Sequence, residues 1–262
     1  MADVTLSSEK FALQSRADRK KLGLIALSTD LTSERDFARI IPLDKAGIYS
    51  TRVEFSNPTT PENLRRMAPR ITAAADLILP GEILDVICYS CTAASVVIGD
   101  AKIAESVHAI RPGVPVVTPS GSALLAFHAL GITRISILTP YLIETSLPMA
   151  SYFERHGMQI QRFHCLGLDD DRDMARISPE AIVRAALATD TPQTQAFFLS
   201  CTGLQAVDAV AVLEQQTGKP VVTSNQASAW AMMGHAGLIQ PFDFWGTLFQ
   251  HPLPKMSLEQ LP

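Results

Sequence analysis

The sequence predicts an α/β protein with two pseudo-symmetric lobes, each a parallel sheet of about four strands flanked by helices. Three observations carry this expectation. Short apolar runs alternate with longer helical stretches, the alternation occurs twice, and the two copies coincide at an offset of 110 residues. At that offset Gly47 falls on Gly157, Arg52 on Arg162 and Arg66 on Arg176, and Ser90-Cys91-Thr92 falls on Ser200-Cys201-Thr202. A repeat this long indicates a duplicated domain rather than a solenoid.

Taken in order, the first half offers strands at LGLIAL (22–27), GIYSTRVEF (47–55), LDVICYS (84–90) and VPVVT (114–118). The second half offers ISILT (135–139), MQIQRFHC (158–165), AFFLS (196–200) and KPVVT (219–223). Helical stretches lie between them, as in ENLRRMAPRITAAADLIL (62–79) and PEAIVRAALAT (179–189). Both copies of PVVT lead into Ala-rich helices, SGSALLAFHALG (120–131) and NQASAWAMMGHAG (225–237). Strands alternating with helices make parallel sheets covered on both faces, here Rossmann-like lobes. Residues 1–117 with 226–262 are expected to form one lobe and 118–225 the other. The first 20 residues read as a polar arm with one short helix, and the Pro-rich tail from His251 as irregular.

Composition narrows the function. Hydrophobic residues make up 47% of the chain and charged residues 18%, enough for a buried α/β core and too little charge for disorder. A net charge of −4 with no basic run argues against a nucleic-acid partner. No apolar stretch reaches the about 18 residues of a membrane span. The first residues lack the apolar core of a secretory signal. Four cysteines in that setting suggest free thiols and a cytoplasmic location.

In a parallel sheet the ligand sits beyond the carboxyl ends of the strands, and both Ser-Cys-Thr motifs fall there, each read as lying just before a helix. If the lobes face each other, so do the Cys91 and Cys201 thiols. The N–H groups at such a turn attract an anion and favour thiolate. The small residues after each cysteine, Thr92 and Ala93 in one copy and Thr202 and Gly203 in the other, let a ligand approach the backbone. Two opposed thiols can remove a proton on one face of a carbon α to a carboxylate and return it on the other. Alternatively, one thiolate can add to a double bond, permit rotation and leave. Neither route needs a cofactor or a metal. Cys88 with Cys91 also spells CxxC, the spacing of a redox pair or half a zinc site. Cys88 matches Phe198 in the other half, however, and Cys165 matches Phe55, so both read as core.

The stretches STDLTSERDF (28–37), VICYSCTAAS (86–95), LTPY (138–141), CLGLDDDRDMARISPE (165–180), FFLSCTGL (197–204) and VVTSNQASAW (221–230) together resemble the Asp/Glu racemase superfamily. The similarity covers residues 20 to 250 and is nearest the branch of maleate cis-trans isomerases and arylmalonate decarboxylases. STDLTSERDFARIIP and NPTTPENLRRMAPR (57–70) resemble the ectoine-utilisation proteins of the EutA type. The resemblance implies a cofactor-independent isomerase, racemase or epimerase, a homo-oligomer with a closed cleft. Cys91 and Cys201 would be its catalytic cysteines and Tyr141 a substrate-binding residue. Asp30 and Asp171 depart from it, since maleate isomerases tend to carry Asn at both positions. A carboxylate at close range would repel a dianion, so the two Asp residues suit a zwitterion with one carboxylate and one cationic end. Ectoine and hydroxyectoine are such molecules. Asn225 binds substrate or caps a helix, and Thr118 and Ser120 carry the same ambiguity. Maleate-type isomerisation is the nearest alternative, and a non-catalytic ligand-binding or partner subunit is the alternative of another class.

Overall fold

The computed structural model describes residues 1–13, 19–238, 244–256 and 258–260. The first half runs β1 (Lys20–Leu27), α1 (Ser33–Ile40), β2 (Ala46–Val53), α2 (Pro61–Arg65), α3 (Ile71–Asp76), β3 (Val86–Ser90), α4 (Thr92–Ile98), α5 (Asp100–His108), β4 (Val116–Val117) and α6 (Pro119–Ala129). The second runs β5 (Arg134–Tyr141), α7 (Ile143–Arg155), β6 (Gln159–Leu168), α8 (Asp171–Met174), α9 (Pro179–Leu187), β7 (Ala196–Leu199), α10 (Val210–Thr217), β8 (Val221–Thr223) and α11 (Ser224–His235).

The strands form two four-stranded parallel sheets, ordered β2-β1-β3-β4 and β6-β5-β7-β8, so each sheet repeats the other strand for strand. Register supports the duplication: Arg52 lies opposite Ala26 in one sheet and Arg162 opposite Ser136 in the other, each residue shifted by 110. The central strands β1, β3, β5 and β7 are buried nearly end to end, as strands covered on both faces must be.

The two PVVT segments have one job in common. Thr118 and Thr223 are both N-caps, the first accepting from the Gly121 N–H and the second forming a capping box with Gln226. The helices they start are mostly apolar or small, and Pro119 to Phe127 and Ser224 to Met233 are buried without a break. α6 and α11 pack against each other. α6 follows the first sheet yet touches β8 of the second, while α11 follows the second yet touches β3 and β4 of the first. We propose that the lobes divide at the starts of these helices.

Several elements differ from the sequence reading. The expected helix over 62–79 is broken into α2, a 3-10 turn at Ala68–Arg70 and α3, because Pro69 removes a backbone donor. Residues 1–13 form no helix, and the expected helix of the arm otherwise falls on residues 14–18, outside the described residues. The tail holds a 3-10 turn at Leu258–Gln260. Among the described residues no helix is long and apolar enough to cross a membrane.

Trp230, fully buried on α11, donates its indole N–H to the His251 carbonyl at 2.9 Å and ties the tail to the core. Trp230→Ala is expected to lower stability by about 3–5 kcal/mol, read as a shift of the urea midpoint. A loss under about 1 kcal/mol would show that this packing is not what holds the tail.

Candidate active site

Cys91 follows β3 and is the N-cap residue of α4, in extended backbone. Cys201 follows β7, but no α-helix begins there. A turn and a 3-10 segment at Ala206–Ala209 precede α10, which corrects the expectation of a helix directly after each motif. Cys201 takes φ of 142°, a region unfavourable to a residue with a side chain. Such a conformation persists only where its surroundings over-determine it. Here the Cys201 N–H donates to Ser224 Oγ at 3.0 Å, and the Thr202 carbonyl accepts from Asn225 Nδ2 at 2.9 Å and from Thr32 Oγ1. The second loop is therefore held by the first turn of α11 and by the segment leading into α1.

Both cysteines line one narrow cavity of about 30 Å³, room for a water or two. Asp30, Ala93, Tyr141, Asp171, Thr202 and Gly203 share it, so eight of the ten sequence-identified residues meet there. Thr92 and Asn225 do not. The Thr92 hydroxyl donates to Ser224 Oγ at 2.7 Å, and the Asn225 amide is turned to Asp36 and Thr202. Thr118 and Ser120 bind Asp100 instead, at 2.5 and 3.1 Å. The rest of the wall, Leu27, Leu31, Phe55, Thr59, Leu64 and Met174, was not singled out from the sequence, where nothing separates these residues from ordinary core. Leu31 stands largely exposed on the rim. Among the described residues no Lys or Arg lines the cavity.

The two carboxylates are differently engaged. Asp30 accepts from the Thr32 and Ser33 N–H groups, both at 2.8 Å, and from Ser33 Oγ at 2.6 Å, so it caps the start of α1 while facing the cavity. Arg52 fixes the loop beneath it by donating to the Leu27 and Asp30 carbonyls at 3.0 and 2.9 Å. Burial pushes the Asp30 carboxyl above its ordinary pKa, against those hydrogen bonds. Asp171 is not part of a solvated charge run. Its carboxylate accepts from Asn57 Nδ2 at 2.8 Å and from Thr29 Oγ1, both on the first half of the chain. Beside it the Thr59 N–H donates to the Asp169 carbonyl at 2.6 Å, so residues 169–171 clasp the other lobe.

The thiols also differ from the sequence reading, which expected helix N–H groups to favour thiolate. Burial dominates and pushes Cys201 up to about 12 and Cys91 higher still; the charges of Asp30 and Asp171 act in the same direction on both, and that of Cys201 does so on Cys91. Donors do point at the sulfurs. Tyr141 donates its hydroxyl to Cys201, Gly203 its N–H to the same sulfur at 3.2 Å, and Ala94 its N–H to Cys91. The resting site is thus a pair of neutral thiols with hydrogen bonds ready for a thiolate. Cys88 is fully buried in β3 and pushed up to about 12 by burial, whereas Cys165 is only half-buried, less than a core role requires. Among the described residues no cluster of three His, Cys, Asp or Glu side chains is placed to hold a metal ion.

Fold and site together define a class of two-lobed α/β proteins with a thiol beyond the third strand of each half. The chain belongs to the family described as arylmalonate decarboxylase, whose profile matches residues 61–249. It is similar to the maleate isomerase of Alcaligenes faecalis, 23% identical over 233 residues covering 83% of this chain and 91% of that one. With the maleate isomerase of Pseudomonas putida it shares 29% over 158 residues, 57% of this chain and 63% of that enzyme, so it spans less than two thirds of that relative. Its fold matches a Nocardia farcinica maleate cis-trans isomerase, a cysteine-to-serine mutant with a covalently bound succinylcysteine intermediate. The TM-score is 0.80 at 22% identity over 88% of this chain and 98% of that one.

Neutral, enclosed thiols should react slowly with alkylating agents. At pH 8, iodoacetamide followed by peptide mass spectrometry is expected to label Cys165 first, with Cys91 and Cys201 at least about tenfold slower than a free cysteine and accelerating beyond pH 9. Rapid labelling of Cys91 or Cys201 at pH 7 would contradict the assignment of neutral resting thiols.

Proposed function

We propose that the protein is a cofactor-independent isomerase, racemase or epimerase that uses Cys91 and Cys201 on a small carboxylate bearing a cationic or N–H-rich end. We further propose a role in the breakdown of ectoine or hydroxyectoine, in keeping with the resemblance to EutA-type proteins. The observation that carries this reading is one cavity holding two thiols and two carboxylates, with no lysine or arginine among the described residues on its wall.

The chemistry follows from the charges. At rest, Asp30 and Asp171 oppose ionisation of both thiols. A cationic group bound between the two carboxylates offsets that field and lowers the cost of a thiolate. The substrate carboxylate would rest on backbone N–H groups after one cysteine. One sulfur then takes the proton from the carbon bearing the carboxylate, leaving a carbanion. The other sulfur gives its proton to the opposite face. The Cys201 charge raises the Cys91 pKa, so once one thiol has lost its proton to solvent the other stays protonated and serves as the acid.

A second reading is maleate-type cis-trans isomerisation, favoured by the relatives. A succinylcysteine intermediate in the Nocardia farcinica protein is what addition of a thiolate to maleate leaves. Here that role would fall to one of the two cysteines, with the other supplying the proton.

Proton NMR of ectoine, hydroxyectoine and maleate, each incubated with the protein in D2O, separates these readings. Deuterium is expected at the carbon bearing the carboxylate of a cyclic amidine, with loss of at least about 100-fold in rate for Cys91→Ser and for Cys201→Ser. Isomerisation of maleate alone would overturn the charge argument in favour of the second reading. No change in any sample would overturn both in favour of a ligand-binding subunit.

A further inference from the structure

Asp36 lies on α1, fully buried, and takes no part in lining the cavity. Its Oδ2 accepts from Asn225 Nδ2 at 2.9 Å, and the same amide nitrogen donates to the Thr202 carbonyl at 2.9 Å. The other oxygens of this pair, Asp36 Oδ1 and Asn225 Oδ1, are buried and have no hydrogen-bond partner among the described residues. Around Asp36 stand Arg35 and Arg39 on its own helix, with guanidinium nitrogens 3.7 and 3.9 Å from Oδ1, beyond hydrogen-bond range. Both guanidinium groups are drawn to Asp208 on the 3-10 turn of the other half, each at 2.7 Å. Two orphaned oxygens are costly, and native proteins keep such groups where something else is gained.

We propose that Asp36 is a positioning residue that fixes the Asn225 amide and, through it, the strained Cys201–Thr202 backbone. This rests on the reading of Cys201 as a reacting thiol. A carboxylate only accepts hydrogen bonds, so it draws the NH2 end of the amide toward itself and toward the Thr202 carbonyl. Protonated Asp36 can donate instead, and the amide can then turn its oxygen inward. The Thr202 carbonyl would keep only Thr32, and the positive φ of Cys201 would lose one of its constraints. Burial pushes the Asp36 carboxyl up to about 6, with Asn225 and the two arginines opposing the shift and Asp208 adding to it. The grip therefore holds above about pH 6 and relaxes below it.

The test compares Asp36→Asn, Asn225→Ala and their combination in a Cys165→Ser background, each first checked for fold by circular dichroism and melting. The readouts are the rate of iodoacetamide labelling of Cys201 relative to Cys91 and, with the substrate found by NMR, kcat and KM against pH. Either single change is expected to speed Cys201 labelling severalfold while sparing Cys91, and to lower kcat about tenfold with KM changed less than about threefold. Asp36→Asn should erase an acid limb near pH 6, and the combination should be no worse than Asn225→Ala alone, as members of one chain of contacts behave. Unaltered Cys201 labelling, additive effects or a surviving acid limb would overturn the proposal. Labelling needs no turnover, so it decides the positioning role even if none of the candidate substrates reacts. Asn225→Ala carries the comparison should Asp36→Asn fail to fold.

Discussion

The packing of α6 against α11 is the contact on which the rest of the structure depends. Each helix is the continuation of one sheet and a covering layer for the other. Because both are buried along most of their length, neither can be separated from its partner without exposing a large apolar area to water. This pairing holds the carboxyl ends of β3 and β7 against a single cavity. Its effect reaches the chemistry directly, since the first turn of α11 supplies Ser224 and Asn225 to the Cys201 loop. The same core that stabilises the molecule thus sets the backbone of one thiol.

Two opposing electrostatic effects meet at the cysteines, and burial prevails. The N–H groups of Ala94 and Gly203 and the Tyr141 hydroxyl all favour a thiolate, yet enclosure in a cavity with two carboxylates outweighs them. In the proposed reading, a bound cationic group is what lowers the cost of a thiolate here. Asp30 and Asp171 then act as more than a departure from a pattern. Asp30 is tied to the start of α1 and Asp171 to Asn57, and in the proposed reading the cationic end of the ligand faces both.

Much of this was legible in the sequence because duplication doubles every signal. The matched Arg52 and Arg162 marked equivalent register positions, and the twin Ser-Cys-Thr runs marked equivalent strand ends. The turn after Cys201 was not legible, since its conformation comes from contacts spanning 170 and 23 positions, from Thr32 to Thr202 and from Cys201 to Ser224. Nor was the direction of the thiol shift, because enclosure depends on the other lobe. Asn225 read equally as a substrate ligand or a helix cap, but Thr223 is the cap and the Asn225 amide is taken up by Asp36, 189 positions earlier. The apolar wall of Leu27, Phe55 and Met174 reads locally as core, and only the facing lobe makes it a cavity.

The central claim is that one small ligand lies between Cys91 and Cys201 with its carboxylate on backbone N–H groups. Crystal structures of the Cys201→Ala variant grown with ectoine, and separately with maleate, test it most directly. The expected result is the cavity widened from its resting volume of about 30 Å³ around ectoine, its carboxylate on the N–H groups following Cys91 or residue 201 and its amidine facing Asp30 and Asp171. Ectoine bound elsewhere, or a cavity in which Cys91 and residue 201 lie on the same side of the ligand, would contradict it.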